Sequence, residues 1–84
     1  MKMEIFDMGR IAKGGYIQNG KVHKYRNLIM DADKWVQEKA EFLRSLYGCE
    51  TRINVGSQNI LLIAHREAQG RKKKIDIIFH LTLV

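Results

Sequence analysis

Asp31-Ala32-Asp33-Lys34-Trp35-Val36-Gln37-Glu38-Lys39-Ala40-Glu41-Phe42-Leu43-Arg44-Ser45-Leu46-Tyr47-Gly48 is the stretch that decides the fold. Asp31 suits an N-cap, because its carboxylate can accept an amide left without a partner at a helix start. Asp33 puts negative charge in the first turn, where the helix dipole favours it. Val36, Ala40, Leu43 and Tyr47 recur at helical spacing, and Trp35, Phe42 and Leu46 widen the stripe. Lys34, Gln37, Glu38, Glu41, Arg44 and Ser45 collect on the opposite side. Met30 and Trp35 stand at the two positions of a hydrophobic staple, and Gly48 suits the left-handed residue that ends a helix. The spacing predicts one amphipathic helix with one face to bury.

Both flanks read as β structure. Met3 to Ala12 forms a first predicted strand, which Lys13-Gly14-Gly15 is expected to break. Tyr16 to Tyr25 is a predicted hairpin around Asn19-Gly20, since both of these residues tolerate the positive φ of a tight turn. After the helix, Thr51 to Val55 is a short strand and Gly56-Ser57-Gln58 a turn. Asn59 to Glu67 and Lys73 to Val84 are two longer strands. Ile75, Ile77, Phe79, Leu81 and Leu83 share one face of the last strand, as a period of two requires. Ile78 on its other face, and the run Ile60 to Ile63, mark strands that are apolar on both sides. The predicted fold is α+β: an antiparallel sheet with a single helix packed on one face, in the order β-β-β-α-β-β-β.

The chain has 84 residues, 45% of them hydrophobic and 29% charged, which predicts one small folded domain over residues 1–84. That size leaves no room for a deep cleft between two lobes. There is no proline, no repeat and no low-complexity stretch. Glu4 stands where a secretory leader needs an apolar run, and no stretch approaches the roughly 20 apolar residues of a membrane span. The helix also lacks the basic polar face of a membrane-surface anchor. The single cysteine, Cys49, follows the helix C-terminus, so it can form no internal disulfide and has no activating neighbour. A reducing, cytoplasmic setting is expected.

The net charge of +6 is unevenly placed. Residues 1–26 carry six bases against two acids, residues 27–50 three against five, and residues 51–84 six against two. The helix segment is therefore mildly acidic and the β segments basic, which predicts affinity for a polyanion. The densest cluster is Arg71, Lys72, Lys73 and Lys74 in a predicted hairpin turn. It could contact phosphates, or it could be a solvated turn that guards a β hairpin from aggregation. A second cluster joins Lys13, Lys21, Lys24 and Arg26, with Arg10, to Tyr16 and Tyr25. These tyrosines could stack on nucleotides, or pack in the core with their hydroxyls outward.

Catalytic chemistry is not evident. His23, His65 and His80 have no nucleophile or metal-ligand spacing around them, and the glycines near Lys13 lack the spacing of a phosphate loop. Glu38 and Glu41 read as solvated helix carboxylates. The expectation is a non-enzyme without cofactor or metal, binding DNA or RNA through basic β-hairpin loops. The alternative is a small protein-binding regulator or inhibitor, of a size common among phage and mobile-element proteins, that meets an acidic surface or blocks a nucleic-acid-handling protein. The apolar last strand, if it lies at a sheet edge, would offer a seam for strand addition or a homodimer.

Overall fold

The computed structural model describes residues 10–66 and 75–84. Its elements are β1 (Ala12–Gln18), β2 (Lys21–Lys24), α1 (Ala32–Tyr47), β3 (Glu50–Val55), β4 (Asn59–Arg66) and β5 (Ile75–Leu83). Asn19 and Gly20 turn the chain from β1 to β2 with φ of 53° and 76°, the left-handed pair that such a turn requires. All strand pairs are antiparallel, in the order β2-β1-β5-β4-β3. One α+β sheet with one helix is the predicted architecture.

Three expectations need correction. The first strand does not break at Lys13-Gly14-Gly15: it begins at Ala12 and runs through them. Residues 3–9 of the expected strand lie outside the described residues, so the order observed is β-β-α-β-β-β. The glycines serve close approach instead of a turn. A Cβ on Gly14 would collide with the His80 carbonyl oxygen of β5, and one on Gly15 with the His23 carbonyl oxygen of β2. Second, β5 is the central strand, paired with β1 on one side and β4 on the other. Its backbone groups are already bonded, which removes strand addition at that edge; Phe79 and Leu81 bury on the helix side, while Asp76, Ile78, His80 and Thr82 on the other face stay exposed. Third, Met30 stays 63% exposed, so no staple closes on it. Trp35 turns instead toward the sheet, where its ring meets Tyr25 and Phe79 edge-on.

The helix ends are built locally. The Asp31 carboxylate accepts the Lys34 amide at 3.1 Å. At the other end Gly48, at φ 65°, donates to the Arg44 carbonyl, the single 5→1 bond of an αL ending, and Cys49 donates to that of Leu43. Arg10 ties the chain to the helix start: its carbonyl accepts the Ala32 amide, and its guanidinium holds Asp33 at 3.0 and 2.5 Å.

Helix α1 lies over β3 and β4. Val36, Ala40 and Leu43 bury against Ile60, Leu62, Ala64, Phe79 and Leu81. Each fully buried large aliphatic here stabilises the fold by about 1.5–3 kcal/mol. The helix thus covers the β3 half of one face. Among the described residues α1 does not cover the β1–β2 half of that face, and no element packs on the opposite face.

Candidate nucleic-acid interface

Strand register decides which expected site residues meet. Tyr16 pairs with His23 and Phe79, and Gln18 with Lys21 and Ile77. Period two therefore sets Tyr16, Gln18, Lys21 and His23 on the helix side. Lys13, Ile17, Val22, Lys24 and His80 fall on the open side. The structure separates the second basic cluster: Tyr16 and Tyr25 pack on the helix side, while Lys13 and Lys24 stand on the other. Arg26 is exposed in the loop after β2. Arg71, Lys72, Lys73 and Lys74 lie outside the described residues.

The tyrosines are neither wholly core nor wholly free. Tyr16, Tyr25, Trp35 and Phe79 close a ring of aromatic contacts with centroids 5.6–6.0 Å apart. His23 stacks flat on Tyr16 at 4.7 Å and 16°, leaving its outer face to solvent. Burial, with repulsion from Tyr16, pushes the Tyr25 hydroxyl up to about 12, so it stays protonated and can donate at any physiological pH.

Where the helix stops short of β1, a groove of about 420 Å³ opens. Tyr16, Tyr25, Phe42, Tyr47 and Phe79 supply its rings, and Gln18 and Lys39 its polar groups. Among the described residues no acid lines it. Lys39 Nζ lies 5.1 Å from the Trp35 ring centre and 5.9 Å from those of Phe42 and Phe79. Phe42 and Tyr47, in edge contact with each other, remain 48% and 43% exposed. The register carries the groove on to Lys21, beside Gln18 at the hairpin end. Such a site can hold planar rings between aromatic walls, read a polar edge with Gln18, and place cations beside an anionic chain.

Trp35, Lys39, Phe42 and Tyr47 are absent from the site expected from sequence, because the aromatics fitted a core stripe. A signal existed: Trp35, Lys39 and Phe42 are spaced four and three apart, so a lysine interrupts an aromatic flank.

The cations differ in their freedom. Arg10 is committed to Asp33, whose carboxyl it holds below the usual range by hydrogen bonding. Arg44 is held by Glu41 and Thr51. Lys13, Lys21, Lys24 and Arg26 form no ion pair among the described residues. His65 stands opposite Asp76, with 3.6 Å between Nδ1 and Oδ1, and His80 opposite Leu61, so these histidines do not face each other. Cys49 is buried, and burial raises its thiol pKa. Among the described residues no group of metal-ligating side chains gathers, and no helix is long and apolar enough to cross a membrane.

Compared with known proteins, the chain matches no family model, no curated protein and no solved structure.

Proposed function

We propose that the protein is a cytoplasmic, non-enzymatic binding module for single-stranded nucleic acid, with its site in the groove between α1 and the β1–β2 hairpin. The observation that carries this reading is the groove's lining: five aromatic rings, two aliphatic side chains, a glutamine and a lysine, with no acid among the described residues. Stacking of a base on an aromatic ring contributes about 1–3 kcal/mol and works for any base. Lys21, Lys39 and Arg26 would contact phosphates along the strand. Lys13 and Lys24, on the other face, would reach only a strand that wraps over the β2 edge. Arg71 to Lys74 remain part of the proposed phosphate track on sequence grounds alone. A duplex fits poorly, because stacked bases hide their faces and α1 presents Glu38 and Glu41 to solvent.

A second reading, a small protein-binding regulator, rests on the groove's helix wall. Phe42 and Tyr47 stand exposed there, with Leu46 exposed nearby on α1, and could receive an apolar peptide.

A titration of labelled single-stranded DNA, RNA and duplex DNA separates the two, run at low and at physiological salt. Binding that survives physiological salt and prefers single strands supports the nucleic-acid reading. Weak binding to every form that vanishes with salt overturns it and turns the search to a protein partner.

A further inference from the structure

Among the described residues no element packs on the sheet face opposite α1, and that face carries a continuous aliphatic row. Val22 pairs with Ile17, Ile17 with Ile78, and Ile78 with Ile63. The row therefore crosses β2, β1, β5 and β4 in register, and Leu61 adjoins it one step along β4. Val22 is 63% exposed, Ile17 39% and Ile78 36%. Contact between the row's own members shields only part of this surface. A continuous exposed row of aliphatics marks a place where another surface packs.

We propose that this face is a homodimer interface, in which two copies stack their sheets about a two-fold axis lying along the row. The inference goes beyond the nucleic-acid reading and does not depend on it. The occupant follows from the two rows that flank the aliphatic one, each about 7 Å away at two residues of strand rise. On one side stand Lys24, His80, Leu61 and Asn54, with Gly15 leaving a gap beside His80. On the other stand Asp76, His65 and Glu50. A two-fold along the aliphatic row exchanges these rows.

His80 then lies opposite Asp76 of the partner subunit and Asn54 opposite Glu50 of the partner subunit, each a donor facing a carboxylate. The row itself meets its own copy, as an isologous interface requires. A two-fold along β5 itself would instead set Asp76 against Asp76 of the partner subunit, a repulsion that the first arrangement avoids. Arg52, at the β3 end of the row, meets Arg52 of the partner subunit at the exposed rim, where solvent screens the two guanidiniums. The groove beside α1 points outward on both copies and stays open.

Sedimentation equilibrium of the full chain without nucleic acid tests this. A species of twice the 9.8 kDa chain mass is expected at about 100 μM, above the micromolar range of a weak interface. Ile78→Lys should give the 9.8 kDa monomer with an unchanged circular-dichroism spectrum. His80→Glu and Asp76→Lys should each weaken the dimer about tenfold, and the double variant should recover most of that loss, because the two positions meet across the axis. A wild-type chain that is monomeric at that concentration overturns the proposal. So does a dimer that survives Ile78→Lys, or a double variant as weak as the two single losses combined.

Discussion

Replacing Lys39 by alanine should change the salt dependence of nucleic-acid binding while barely changing stability. In the free protein the ammonium group sits 5.1 Å above the Trp35 ring. An exposed contact of this type contributes ~0.5–1 kcal/mol. The higher helix propensity of alanine offsets a few tenths of that, leaving a net loss of about 0.5 kcal/mol. In a domain of this size such a loss lowers Tm by about 2–4 °C. Binding responds differently. One phosphate contact removed from a single strand flattens the slope of log K against log salt by about 0.7. Between about 50 and 200 mM salt the affinity deficit of the variant should therefore shrink about 2.5-fold. Fluorescence anisotropy of a labelled oligonucleotide across that range reads the slope, and a circular-dichroism melt reads the stability. A slope equal to that of wild type, alongside the lowered Tm, would mean that Lys39 only clamps the rings. The cationic role assigned to the groove would then fail.

Gly15→Ala should destabilise the fold by about 1–3 kcal/mol in urea titration, since its Cβ meets the β2 backbone and the hairpin must shift. Gly56→Ala, whose Cβ meets chiefly the Asn59 side chain, should cost less. The Arg10–Asp33 pair predicts a pH effect whose sign follows from the lowered Asp33 pKa. A carboxyl depressed in the folded state contributes stability above its unfolded pKa of about 3.9, lost as pH falls through the folded value. Arg10→Ala should remove that acid-side step from a series of melts, modestly, because both side chains are 35% exposed. Spectrophotometric titration of the native protein should show one tyrosine ionising only near pH 12; its appearance near 10 would contradict the burial of Tyr25.

Much of the fold was legible because its signals are local. Asp31, the 36–40–43 spacing and Gly48 announced the helix, and Asn19-Gly20 announced the turn, each within a few residues of the geometry it sets. Gly14 and Gly15 misled for the same reason. A glycine pair read locally is a break, yet these two are required by the backbones of β5 and β2, which come later in the chain. Tyr16 and Lys13 illustrate the loss at the site. Three residues apart on a strand, they belong to opposite faces, so a cluster that is dense in sequence is divided in space. Lys39 and Phe42 went the other way: a helix flank that resembled core was left uncovered.

By itself the sequence determined the element types, the helix caps, the hairpin turn, the alternation on β5 and the basic character of the strands. These depend on backbone preference and side-chain period, both short-range. Only the tertiary structure decided that β5 is central, that α1 covers one half of one face, and that an aromatic groove and an aliphatic row therefore remain. Strand order and helix placement come from pairings between residues far apart in the chain, and no residue's own chemistry specifies its distant neighbour.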